Sequence, residues 1–500
     1  MPQRLRLLGI ILIAWGLLLW QLDSRSLWVD EFLTAQMIQG APQDVVAAAT
    51  RDIHPPLYFL LLNAWVQVSG ASDFALRFPS VLAAMCALAL MPVLARRTLG
   101  SSSALPATLL LAGAPAFVEF GRMARYYSLL LALAMLSTLL LLSAIKEDRV
   151  KLWIAYSLVG LALIYTFYPS AALPIAQGAT LVWPSGGSHV LRRWAFAATL
   201  IVAGFLPWVW LSAGQQVASV ATYTGVDFAR TLVGFLLGIA SAAYTFSVGE
   251  TLFPWQPAAL IGLFVVALVL GTGLFKRPAA MTWKFIGLCG INIVLMSAVT
   301  TYVATGTPFL NVPVRALFAL PFFLLSLLAC LMGVGSRVRR GLLGAILLSV
   351  WAVSNVNDFT GQQFLNPIYL TPSKEAAAYV RERVNRDDLV ISDYDSVFGY
   401  YFVSNDATAR QHRYTEPDSE VTVALASLRP ARVWFITIGR DQSQSRSSAN
   451  AVRLQLTDGY RLEHVERLLP IDPVYLRLKS AVLGRDTYAY RLTIELYTRP

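Results

Sequence analysis

Ser26-Leu27-Trp28-Val29-Asp30-Glu31-Phe32, completed by Arg51-Asp52-Ile53-His54-Pro55-Pro56-Leu57-Tyr58, are the two stretches around which the chain is organised. The first follows the apolar run Leu7 to Trp20 directly. Two adjacent carboxylates therefore sit where the chain has just left a bilayer. A helix end at a membrane surface does not need an Asp-Glu pair, and acids in such places are functional candidates by default. Asp30 and Glu31 read as the acid–base centre of a membrane-embedded transferase.

Composition agrees with a membrane setting. The chain has 500 residues, 56% of them hydrophobic and only 14% charged, where soluble domains average about 25% charged. Mean hydropathy is +0.57. The net charge of +11 would suggest nucleic acid in a soluble protein. Here it is accounted for by cytoplasmic-loop Lys and Arg, and no nucleic-acid partner is expected. Cys86, Cys289 and Cys330 all fall in apolar runs and form neither a disulfide framework nor a metal pattern. Arg4 and Arg6 before Leu7 to Trp20 resemble a signal peptide, but no small-residue cleavage site follows, so an uncleaved first transmembrane helix is expected.

Apolar runs over 5–22, 77–95, 103–120, 125–145, 152–168, 170–184, 193–213, 255–275, 281–303, 312–334 and 341–357 give about 11 transmembrane helices, within a range of about 10–13. With Arg4 and Arg6 inside, the loops holding Arg96-Arg97, Lys146/Arg149/Lys151, Arg192-Arg193, Lys276-Arg277 and Arg337/Arg339/Arg340 all become cytoplasmic. The parity closes only if 56–69, short and carrying Asn63 and Gln67, lies along the outer surface. The loop 23–76, a long loop 214–254 with the apolar piece Thr231 to Ala243, and the C-terminus then face outward. The expected fold is a polytopic α-helical membrane domain, 1–357, followed by an extracytoplasmic mixed α/β domain, 358–500. In that second domain, Thr371-Pro372-Ser373 opens a helix, Asp388 to Ser392 and Arg432 to Thr437 read as buried strands, and Thr487 to Arg499 alternates like a strand.

Cations at the outer helix ends break the positive-inside rule. They are Arg77, Arg122, Arg125 and Arg315, joined by Arg51 and His54 in the first outer loop. Cations bordering lipid are costly unless partnered. Arg clamps phosphate through a planar fork, so an anionic headgroup is one partner. The other reading is that these arginines pair with Asp30, Glu31, Asp52 or Glu119 and hold the loops. A base that deprotonates a hydroxyl, with an anionic leaving group departing into a cationic pocket, describes sugar transfer from a lipid phosphate.

Several stretches resemble the GT-C superfamily of glycosyltransferases, within it the protein O-mannosyltransferases, lipid A aminoarabinose transferases and lipopolysaccharide galacturonosyltransferases. They are Leu27 to Glu31, His54 to Phe59, Ala75-Leu76-Arg77-Phe78-Pro79-Ser80, Ala124-Arg125-Tyr126-Tyr127-Ser128-Leu129, Tyr165-Thr166-Phe167-Tyr168 and Arg315 to Pro321. The resemblance covers roughly the first 335 residues, in the family's order. It implies inverting transfer from a polyprenyl-phosphate sugar to a lipid, glycan or protein hydroxyl at the outer face of the plasma (inner) membrane, with the N-terminus cytoplasmic. Asp30 is then the base. Glu31 orients Asp30, binds acceptor or pairs with an arginine, and His54 touches donor phosphate or acceptor, or caps a loop. Arg77, Arg122, Arg125, Tyr126, Tyr168 and Arg315 join His54 as substrate-binding candidates.

Two departures stand out. Where relatives carry Glu-Ala-Arg, this chain has Met123-Ala124-Arg125, leaving Glu119 as a substitute acid. Phe167 stands where relatives often carry His. No cofactor is expected and no metal-ligand spacing is evident, with a divalent metal left open. A transporter or flippase of lipid-linked sugars would call for repeats and midplane polar sites that the sequence lacks. A degenerate, non-catalytic member of the family is the other rival.

Overall fold

The computed structural model describes residues 3–182, 187–223, 228–275, 280–303, 311–363, 365–439, 444–468 and 491–500. It divides into two compact units. The first comprises Met1–Leu22 and Thr34–Thr360, and the second Asp23–Leu33 and Gly361–Pro500.

The first unit is helical. Among the described residues, five helices are long and apolar enough to cross a bilayer: Asp73–Leu99, Tyr127–Glu147, Ser188–Gly214, Ala280–Thr301 and Arg337–Phe359. Shorter apolar helices include Leu57–Ser69, Val150–Thr166 and Pro257–Gly273. Inside lipid, each backbone amide must be bonded within its own segment, which is why apolar runs become helices. Asp73–Leu99 packs on Tyr127–Glu147, and both bury small residues, Ala84, Ala87 and Ala95 on the first and Ala134, Ser137 and Ala144 on the second. Such residues let helix backbones approach closely. Gln177, on Ala172–Val182, accepts from Tyr156 Oη at 2.8 Å and donates to Thr138 Oγ1 at 3.1 Å. This satisfied polar cluster ties three helices and leaves no donor for a ligand.

Several expected spans are interrupted, each for a local reason. The run 103–120 is two helices, Ala104–Gly113 and Pro115–Phe120. Ala114 precedes Pro115 and is extended (φ −62°, ψ 122°), because a proline ring pushes its predecessor out of the helical region. The run 312–334 becomes Val312–Arg315, a 3₁₀ turn Leu317–Ala319 and Leu320–Met332, with Pro321 in the first turn.

The expected outer loop 214–254 is a correction. The helix that begins at Ser188 continues to Tyr223, and Phe228–Val248 is a second helix. Falling hydropathy after 213 ended the span, but neither Pro nor Gly occurs between Gln215 and Tyr223. Nothing there stops the backbone ladder, and a structureless loop of that length is uncommon.

The second unit carries a five-stranded sheet. Its strands are β1 (Leu389–Ser392), β2 (His412–Tyr414), β3 (Arg432–Ile438), β4 (Arg461–Leu468) and β5 (Leu492–Thr498), in the order β2-β1-β3-β5-β4. The β1–β2 and β1–β3 pairs are parallel, and the β3–β5 and β4–β5 pairs antiparallel. Alternate residues of β1 and β3 point to opposite faces. Val390, Trp434 and Ile436 pack with Ala376, Ala377 and Val380 of the helix Ser373–Arg381. Leu389, Ile391, Val433 and Phe435 pack with Val421 and Val452 of Asp418–Leu428 and Gln444–Gly459. At the end of β1, the Asp393 carboxylate accepts from Thr415 Oγ1 and from the Ile438 amide, both at 3.0 Å, tying the ends of three strands. The strand expected from 487 begins at Leu492; residues 487–490 lie outside the described residues.

Candidate active site

A cationic cluster lies in the first unit. Arg125 is 3% exposed. Its Nη1 donates to Thr34 Oγ1 at 2.8 Å and its Nη2 lies 3.2 Å from His54 Nε2. A guanidinium has donors only and stays charged, so His54 Nε2 is the acceptor and the imidazole is neutral. Its proton is then on Nδ1, which donates to Asp52 Oδ2 at 3.0 Å. Asp52 also accepts from the Ile53 amide at 2.7 Å. Burial acts to raise the Asp52 pKa, but the His54 hydrogen bond, the Ile53 amide and the Arg125 charge outweigh it and hold the carboxyl below its usual range. Both nitrogens of His54 are thus used within the protein. In this structure His54 aims Arg125.

Aromatic rings wall this group. Tyr126 stacks on Phe167 with centroids 4.8 Å apart, meets Tyr127 edge-on at 4.9 Å and lies 5.6 Å from the His54 ring. The Arg125 guanidinium carbon is 5.0 Å from the Tyr126 centroid. Ser80 Oγ donates to the Arg125 carbonyl at 3.0 Å, which fixes the backbone just before Tyr127–Glu147 begins.

The other candidates are dispersed through the unit. Arg77 donates to the Leu22 carbonyl at 2.8 Å. Arg122 donates to the Trp20 carbonyl, pairs with Asp358 at 3.6 Å and lies 4.8 Å from the Phe359 centroid. These contacts run to two backbone carbonyls and to Asp358. Tyr168 Oη accepts from Trp208 Nε1 at 2.7 Å. Glu119 is buried on the short helix Pro115–Phe120. Arg315, the last residue of Val312–Arg315, is half-buried, and no ion pair or hydrogen bond engages its side chain among the described residues.

The acidic motif belongs to the second unit. Asp30 and Glu31 occupy the first turn of the helix Val29–Met37, where carboxylates are favoured by the N-terminal end of the helix dipole. Glu31 is 1% exposed and its Oε2 accepts from the Trp28 amide at 3.3 Å, reaching back as the acid of a capping box does. Asp30, beside it, is half-buried. Of the two, Glu31 does the capping.

Asp52 was seen in the sequence only as one arginine partner among several. Its position two residues before His54, in a turn preceding a proline, was the signal for a carboxylate–imidazole pair. Thr34 carried no signal. Among the described residues, no group of three or more His, Cys, Asp or Glu side chains is placed to hold a metal ion.

A helical membrane protein with these apolar helices and an α/β unit is the class that fold and site define. The sequence model of the dolichyl-phosphate-mannose-protein mannosyltransferase family matches residues 53–211. Two solved structures of ArnT from Cupriavidus metallidurans share the fold. One, bound to undecaprenyl phosphate, aligns with a TM-score of 0.53 at 13% identity. The other, in the apo state, aligns with a TM-score of 0.53 at 12% identity. Each covers 98% of this chain and 97% of its own. No curated protein matches the chain in sequence. The chain is thus similar in sequence to that mannosyltransferase family over 53–211 and in fold to the ArnT structures over nearly its whole length.

Proposed function

We propose that the protein is an inverting glycosyltransferase that moves a sugar, hexose or pentose, from a polyprenyl-phosphate carrier to an acceptor hydroxyl at the outer face of the plasma membrane. One observation carries this reading. The stretch matched by a family named for a lipid-phosphate sugar donor, 53–211, contains His54 and the buried Arg125, whose side chains meet at 3.2 Å.

In this mechanism Asp30 takes the acceptor proton as the hydroxyl oxygen attacks the anomeric carbon. The bond from that carbon to the phosphate oxygen breaks, and the lipid phosphate leaves carrying the electron pair. Arg125, held in one direction by His54 and Thr34, and Arg315, which no other side chain occupies among the described residues, offset the charge that develops on the phosphate. Glu31 fixes the helix turn that carries Asp30.

The cytoplasmic N-terminus, about 11 spans and an outer C-terminal domain remain part of this proposal. Leu57–Ser69 rises about 20 Å, short of a bilayer core of roughly 30 Å. For the cationic loops to stay inside, Phe228–Val248 must likewise not cross.

The test is release of polyprenyl phosphate. Purified protein in lipid nanodiscs, given polyprenyl-phosphate mannose and then other polyprenyl-phosphate sugars, should liberate the lipid phosphate in step with acceptor glycosylation. Movement of intact donor between leaflets without release would support a flippase instead. Donor binding with neither would support a non-catalytic family member.

A further inference from the structure

Residues 361–402 of the second unit converge on residues 23–33. The Lys374 amide donates to Ser26 Oγ at 2.9 Å, and the Lys374 ammonium donates to the Asp23 carbonyl at 2.6 Å. The Leu27 amide donates to Tyr401 Oη at 2.6 Å. Trp28 meets Tyr369 edge-on with centroids 5.0 Å apart. Phe32 lies 5.2 Å from Tyr394 and 5.7 Å from Tyr400. Leu27, Trp28 and Phe32 are almost fully buried. The anchored residues thus bracket the acids, Asp23, Ser26, Leu27 and Trp28 before Asp30 and Phe32 after Glu31.

A nine-residue helix is marginal on its own, so the direction of Asp30 is set by what its neighbours pack on. A general base displaced by about 1 Å can lose about 10²-fold in rate. Ordinary core packing would need the aromatic contacts but not the polar ones. Tyr401 Oη and Lys374 instead grip the backbone and the small Ser26 side chain, fixing the register of the segment.

We propose that the α/β domain is the seat of the acidic motif, with Tyr401, Lys374, Tyr394 and Tyr400 as positioning residues that aim Asp30 through Leu27, Ser26 and Phe32. The seat rests on contacts within the second unit, and its consequence for turnover rests on Asp30 being the base.

The test uses the full-length protein. Tyr401→Phe keeps the ring and removes the acceptor of the buried Leu27 amide, while Phe32→Leu loosens the aromatic clasp. Tyr379→Phe is the control, because it removes only an exposed hydrogen bond to His464 in the same unit. Tyr401→Phe should lower kcat about tenfold, as expected for one buried amide left unpaired, with the donor KM unchanged. Amide hydrogen exchange over 26–32 should accelerate, while protection of 389–392 and 432–438 stays as in the parent. Unchanged exchange over 26–32 in both Tyr401→Phe and Phe32→Leu would overturn the seat. So would equal acceleration across the whole unit, which marks lost stability alone. If exchange accelerates as expected but Asp30→Asn retains full turnover, the seat stands and the assignment of the base fails.

Discussion

The cationic cluster of the first unit and the acidic motif of the second are fixed by opposite means. Arg125 is held side chain to side chain, by a chain that runs from Asp52 through His54. Asp30 is held through its backbone, by a capped helix end and by neighbours clasped in aromatic rings. The difference follows from what each group must do. A phosphate-binding guanidinium needs a fixed direction and a permanent charge, which neighbouring polar groups supply. A base needs a fixed carboxylate position, which the contacts of its chain neighbours help to set.

The sharpest break in this comparison is Asp30→Asn. It keeps size while removing the base, and turnover should fall about 10²–10⁴-fold with lipid-donor binding retained. Glu31→Gln should cost much less, because an amide oxygen can still accept from the Trp28 amide. Purified variants at matched expression decide this, and a dead Glu31→Gln beside an active Asp30→Asn would exchange the two roles.

Arg125→Ala comes next. A hydrogen bond to a charged group is worth about 1.5–3 kcal/mol, so donor affinity should drop roughly 10- to 150-fold, measured by titration with the lipid donor. Arg315→Ala should weaken donor binding as well. A loss in acceptor turnover alone would remove both residues from the phosphate.

Asp52→Asn probes the relay behind Arg125. It should weaken donor binding less than Arg125→Ala does, because Thr34 still holds the guanidinium. Its pH signature has a definite sign. The folded Asp52 pKa is depressed, so its stabilising contribution is complete above about 3.8, the ordinary Asp value, and is lost as pH falls through the lower folded value. Thermal melts of Asp52→Asn should lack that acid-side loss.

The second unit has its own pH signature. Burial, with Arg413 adjacent, pushes His412 down to about 4. Between about 6.5 and 4 the unfolded chain binds a proton that the folded one does not. Stability contributed by neutral His412 is therefore complete above about 6.5 and falls as pH drops toward 4, by about 3 kcal/mol at most. His412→Gln should flatten this slope in the second unit while leaving turnover near neutral pH unchanged.

Much of the fold was legible because bilayers and buried parallel strands write themselves as apolar runs. Asp73–Leu99, Tyr127–Glu147, β1 and β3 all lie where hydropathy places them. β4 was not legible, because Arg461 to Leu468 is rich in charge and lies at a sheet edge, paired only with β5. Charged edge strands are how sheets avoid pairing with other chains. The extension of the helix over 214–223 was missed because falling hydropathy ends a run without ending a helix, while the apolar piece Thr231 to Ala243, offered by the sequence as a possible in-plane helix, lies within Phe228–Val248. In the site, Asp30, His54 and Arg125 were visible as unusual charges. Their partners were not, because His54 and Arg125 lie 71 residues apart in sequence, and no periodicity links positions that far separated.

The bond between Leu27 and Tyr401 spans 374 positions, which gives the acidic motif a schedule. Synthesis at about 5–20 residues per second leaves that segment outside its seat for roughly 20 to 75 seconds after it emerges. Through that interval the carboxylates are present but not yet aimed. A nascent chain whose synthesis stops before Tyr401 therefore carries both acids without the contact that sets their direction, so reactivity waits until the polypeptide is almost complete.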